Sequence, residues 1–190
     1  HVLGHHLNYL DQTKDESGWK RPDGTTMGEL EYTAKTALHG YLKAERNSRA
    51  FPKHRAAFYL MALFTVGLLS LLAWHDWVNT LFVFVLPMLL GYVFTCYHTY
   101  SHHAGLDTDN PYEASYNYLN RPYNVLTGNL GYHTAHHIKP GLHWSKLPEY
   151  HATIAHRIPA HLYREPGLLM RWFAWMEGSS SSPERQDDAA

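Results

Sequence analysis

Sixteen of the 190 residues are histidine, and nine of these fall in three clusters. The first is His1-Val2-Leu3-Gly4-His5-His6, the second His98-Thr99-Tyr100-Ser101-His102-His103, and the third His133-Thr134-Ala135-His136-His137. Imidazole is the commonest metal ligand and titrates near neutral pH, so clustered histidines point to metal chemistry or proton transfer. On a helix, residues three or four apart share a face. His1 with His5, His98 with His102, and His133 with His136 are therefore expected to chelate in pairs. The adjacent His6, His103 and His137 point about 100° away and can reach a second ion. Structural zinc sites close at four ligands, so seven to nine imidazoles fit two ions better than one. Ligand type alone leaves zinc, copper, iron and nickel open. The candidate ligands are His1, His5, His6, His102, His103, His133, His136 and His137, with His103 the first choice of its cluster. His98, Asn129 and His143 are further candidates: Asn129 as a neighbour of His133 on a shared helical face, and His143 as outer support for a ligand.

The elements that must position these clusters are helical. Ala56 to Trp74 and Trp77 to Tyr97 are two runs without Asp, Glu, Lys or Arg, separated by His75-Asp76. Each is long enough to cross a bilayer core of about 30 Å as a helix. Pro87 predicts a kink inside the second. Two spans joined by so short a turn form a hairpin, which puts all three clusters on one side. Arg46, Arg49, Lys53 and Arg55 flank the hairpin, whereas its tip carries Asp76, so that side is expected to be cytoplasmic. The fold expected is all-α, an integral-membrane helical protein with a transmembrane hairpin and a cytoplasmic histidine-rich cap. One domain is expected over residues 1–177. It includes helices at Thr26–Arg46 and at Ser145–Ile158, the latter capped by Ser145. Gly167 to Met176 is short, aromatic and amphipathic and suits a membrane interface. Residues 178–190 read as a disordered tail. The chain begins inside a motif and without Met, which reads as the C-terminal part of a longer protein.

Composition narrows the function. Sixteen Lys and Arg against seventeen Asp and Glu give a net charge of −1, with no sign of nucleic-acid binding. Aromatics make up 14%, a feature of membrane interfaces, while the mean hydropathy of −0.40 is lowered by the polar histidine-rich stretches. The one cysteine, Cys96, excludes cysteine-based zinc and iron–sulfur sites and reads as packing. His39, His54, His75, His151, His156 and His161 read as ordinary surface residues. A metal transporter is disfavoured, because transport sites place ionisable residues inside the spans and these runs hold none. A zinc hydrolase is disfavoured by the absence of His-Glu-x-x-His.

The three clusters resemble the histidine boxes of the integral-membrane di-iron fatty acid desaturases and the related alkane hydroxylases. His133-Thr134-Ala135-His136-His137 looks like the family's last box, His-x-x-His-His. Pro140, Trp144, Leu147-Pro148 and the preceding Gly128-Asn129-Leu130-Gly131-Tyr132 also resemble it. The likeness covers the chain to about Arg157. His1 to His6 departs from it as His-x-x-x-His-His. With the Gly before its histidine pair, and with His102-His103-Ala104-Gly105-Leu106, it is more similar to the hydroxylases. The family's first box is absent and is expected upstream of His1. The resemblance implies two histidine-held iron ions that use dioxygen and two electrons from an outside donor to attack an unactivated C–H bond. The expected activity is fatty acyl desaturation, with alkane or lipid hydroxylation as the alternative. The implied partners are a lipid or fatty acyl substrate, the membrane, and an electron donor such as ferredoxin, rubredoxin or a small cytochrome. Chain length, head group and oxidised position are not legible.

Overall fold

The computed structural model describes residues 1–165, so Gly167–Met176 and the tail at 178–190 lie outside the described residues. Among those described, the regular structure is helical, with two isolated bridges and no strand. The chain divides into two compact units, His1–Ala114 and Ser115 onward.

The first unit opens with a π-helical turn, Val2–His6, and a series of tight turns to Gly18. Helix α1 spans Glu29–Ser48, starting and ending slightly later than the expected Thr26–Arg46. Glu29 and Glu31 in its first turn suit the positive end of the helix dipole. Its buried face carries Tyr32, Thr33 and Thr36 and packs along the later helix Leu86–His103 (α3). The core of this unit is Trp19, Met27 and Tyr32, with Tyr100 and Ala104 against it. Both tyrosine hydroxyls are satisfied: Tyr32 Oη donates to Ser17 O (3.0 Å) and Tyr100 Oη to Met27 O (2.7 Å).

Helix α2, Pro52–Thr80, begins with a proline in its first turn, where the missing N–H costs nothing. A π-helical segment, Leu81–Val85, links it to α3, Leu86–His103. The run Pro52–His103 is long and apolar enough to cross a membrane, and none of its most apolar window is buried. Within it, Asp76 leaves helical geometry (φ −153°, ψ 95°). Its carboxylate accepts from Asn79 N (3.1 Å) and Asn79 Nδ2 (2.6 Å), so it caps the helical segment that follows. Pro87 sits in the first turn of α3, directly after the wider π segment. The expected kink takes that form because a proline frees an upstream carbonyl and a π turn absorbs the mismatch.

In the second unit, α4 (Arg121–Thr127) is capped by Asn120, whose Oδ1 accepts from Tyr123 N. It stops at Gly128 in the left-handed conformation (φ 64°), followed by Asn129 (φ 63°). Gly131 lies so close to Tyr118 O and the Asn124 amide that a Cβ there would overlap both. The Gly-Asn-Leu-Gly-Tyr run is therefore a sharp reversal that delivers the chain to α5, His133–Ile138. The helix expected from Ser145 is shorter and split. A 3₁₀ turn at Trp144–Lys146 leads into α6, Leu147–Ile154, and a second 3₁₀ turn at Ala155–Arg157. Ser145 is not the cap, because His143 precedes it and its ring accepts from Ser145 N.

Candidate metal centre

In the first unit, the π turn sets the geometry of the first histidine cluster. His6 N donates to His1 O, an i→i+5 bond. The ring of His1 stacks on His5 and meets His6 edge-on, both at 4.9 Å between centroids. Ring nitrogens of His1 and His6 lie within 4.8 Å of one another. The expected pairing of His1 with His5 is thus replaced, because a π turn brings residues five apart into register. His5 instead turns inward, 1% exposed, and its Nε2 lies 3.2 Å from Nε2 of His103.

The other nitrogen of each ring fixes what those Nε2 atoms are. His5 Nδ1 lies 3.0 Å from both carboxylate oxygens of Asp15, and His103 Nδ1 lies 2.9 Å from Ala114 O. These oxygens accept, so both Nδ1 atoms carry the proton. In the neutral rings, both Nε2 atoms then present lone pairs to each other. Such a contact is unfavourable unless a cation stands there, either a metal ion or a shared proton whose charge Asp15 would balance. A metal ion bound at about 2.0–2.1 Å by two ligands in tetrahedral array separates them by about 3.3 Å. The donor set therefore fits a metal ion, with Asp15 and Ala114 O as the outer partners that such ligands normally have.

In the second unit, His133 and His137 are buried, with Nε2 atoms 3.1 Å apart and centroids at 4.7 Å. The expected pair was His133 with His136, but those rings are 5.6 Å apart. The four-residue spacing wins because it is nearer a whole turn of the helix. His136 is half-buried, and burial pushes its pKa below the ordinary imidazole value. A buried amide anchors this helix: Asn117 Oδ1 accepts from Thr134 N (3.1 Å) while its Nδ2 donates to Thr134 Oγ1 (2.8 Å).

The remaining candidates fall into place unevenly. His102 is fully buried on α3. His98 is buried one turn earlier, its ring against Phe94 and Tyr97. His143 is exposed, with Nδ1 2.9 Å from Ser145 Oγ. Asn129 does not share a helical face with His133: it is in the left-handed region before α5 starts, and its Nδ2 donates to Trp144 O. Of the six histidines read as surface, five are exposed, but His151 is 4% exposed, its Nε2 3.2 Å from Tyr163 Oη. It sits on the inner face of α6, where Leu147 and Ile154 mark the same stripe. Asp15 and Asn117 were not picked out by sequence. The only sequence signal for Asp15 is a carboxylate ten residues after His5 in a turn-rich stretch, and Asn117 carries none.

Buried imidazole pairs in an all-helical chain with a long, exposed apolar run define a histidine-rich protein of the membrane-associated class. The fatty acid desaturase family model matches residues 1–168, and the chain belongs to that family. No curated protein and no solved structure matches it. Membership makes it a desaturase-like oxidoreductase, in a family that is membrane-associated and typically iron-dependent.

Proposed function

We propose that the protein desaturates a fatty acyl chain, using dioxygen and electrons from an external donor such as ferredoxin, rubredoxin or a small cytochrome. His1, His5, His6, His102, His103, His133, His136 and His137 would hold two iron ions, which when bound supply the oxidising power for C–H cleavage. The observation that carries this reading is the 3.2 Å approach of the His5 and His103 Nε2 atoms, with each Nδ1 within hydrogen-bond distance of an oxygen. His5, His102, His103, His133 and His137 supply ligand nitrogens in a buried setting, which keeps bulk water away.

The run Pro52–His103 has 52 residues, about 78 Å as one straight helix and well over one bilayer core of about 30 Å. The break at Asp76 supports two crossings rather than one, and Arg46, Arg49, Lys53 and Arg55 beside the run favour the cytoplasmic side for the histidine clusters. Cysteine labelling of intact cells at His75 and at Lys20 tests this, and labelling of both from the same side would refute it.

Hydroxylation is the second reading, favoured by the His-x-x-x-His-His spacing of the first cluster. Mass spectrometry of lipids from cells expressing the protein decides between them. An alkene is the expected product, and an alcohol without alkene overturns desaturation. Purified protein carrying zinc and no iron overturns both.

A further inference from the structure

We propose that Asp15 is a positioning residue for the metal centre, whose negative charge makes His5 a stronger ligand. The inference rests on the iron-binding reading above but concerns a residue outside all three histidine clusters. The Asp15 side chain is 2% exposed and the His5 side chain 1%, so their contact is made away from water. Both carboxylate oxygens lie 3.0 Å from Nδ1, and Oδ1 also accepts from Ser17 N at 2.8 Å. The backbone of the 15–17 turn thus keeps the carboxylate from swinging away. In this arrangement His5 has one tautomer, with Nε2 as the lone pair facing His103.

A hydrogen-bond acceptor alone would suffice to hold the ring. His103 shows this, since its Nδ1 rests on the neutral Ala114 carbonyl. A buried carboxylate is costly by comparison. A charged acceptor withdraws the Nδ1 proton further and raises the basicity of Nε2, and a cation bound to Nε2 in turn favours the ionised carboxylate.

Asp15→Asn keeps the shape and an Oδ1 that can accept from Ser17 N and His5 Nδ1, but it removes the charge and sets an Nδ2 donor where Oδ2 faced His5 Nδ1. The test is iron affinity of the full-length protein in nanodiscs, measured by competition with a chelator, together with the thermal midpoint of the iron-free form. Asp15→Asn is expected to bind iron about 10–100-fold more weakly, with the iron-free midpoint little changed. Asp15→Glu, which keeps the charge, is expected to recover much of that loss and serves as the check if the Asn variant folds poorly. Wild-type affinity in Asp15→Asn with a lowered iron-free midpoint would make Asp15 a structural staple and overturn the proposal. Equal weakening by Asn and Glu would overturn it too. A wild-type protein that takes up no iron would instead sink the metal-binding reading itself.

Discussion

The two buried imidazole pairs have almost the same spacing, 3.2 Å for His5 with His103 and 3.1 Å for His133 with His137, and reach it by opposite routes. The second pair is local. Four residues on one short helix bring its rings together, and Asn117 holds the start of that helix. The first pair joins residues 98 apart and needs the π turn, the Asp15 turn and the packing of α1 on α3. A helix turn is set by local backbone geometry, whereas a long-range pair exists only once the unit has closed on its core. Similar ligand geometry therefore depends on different kinds of stability.

Removing one ring from each pair gives the largest effects and tests whether both serve one chemistry. His103→Ala and His137→Ala should each lose product formation to background, and the iron content per chain should fall. Both are read by product analysis and elemental analysis on folded protein. Full activity in His137→Ala alone would mean that the local pair is structural and only the long-range pair holds metal.

Asn117→Leu separates the supports of the two pairs. Asn117 is fully buried, and the change leaves the Thr134 N–H without its acceptor, at a cost of about 1–3 kcal/mol. The thermal midpoint should drop accordingly. Loosening at the start of α5 should weaken the His133–His137 pair while leaving the Asp15–His5–His103 contacts unchanged. Hydrogen exchange resolved along the chain measures this, with faster exchange at 133–137 and none at 1–18 as the expected pattern. Uniform acceleration in both stretches would break the distinction.

The same contrast explains what was legible in the sequence. The apolar runs, the helix at α1 and the third cluster's short helix follow from uninterrupted composition and local spacing, so they were readable. His103 was readable as a candidate because it closes a histidine cluster, and it is buried on α3. The pairings within clusters were not, since a π turn at Val2–His6 has no signature that distinguishes it from an α turn. Asp15 and Asn117 were hidden for another reason. Their roles depend on which backbone and ring atoms tertiary closure brings to them, and periodicity carries no trace of that. His151 shows the converse error, since a lone histidine reads as surface until the helix face is known.

A smaller effect comes from His151. Burial pushes its pKa below the ordinary 6.5. Below pH 6.5 the unfolded chain takes up a proton there more readily than the folded one, so this contribution to stability is present above 6.5 and is lost as pH falls from 6.5 toward the folded value. His151→Gln removes that dependence. Thermal midpoints of wild type and variant should diverge less at low pH than at neutral pH, because the wild type alone loses this contribution on acidification. A constant gap across that range would show that His151 titrates alike in both states. The first pair's unit contains no counterpart to this residue outside its own clusters, as His39, His54 and His75 are exposed.

The smallest expected effect is at His143, and it bears on how far the local pair's surroundings extend. His143 lies six residues past His137, in the loop that Asn129 also reaches through its bond to Trp144 O. Its ring caps a 3₁₀ turn with a long contact of 3.4 Å to Ser145 N, and it stands in solvent. An exposed cap with so long a bond adds little to stability. A residue supporting a ligand would be buried against it, as Asp15 is against His5. His143→Ala should therefore leave iron content unchanged and keep turnover within about two-fold of wild type, the usual outcome for exposed positions. Loss of iron in this variant would extend the local pair's support into the loop at 139–146. It would then depend on distant closure in the same way as the His5–His103 pair.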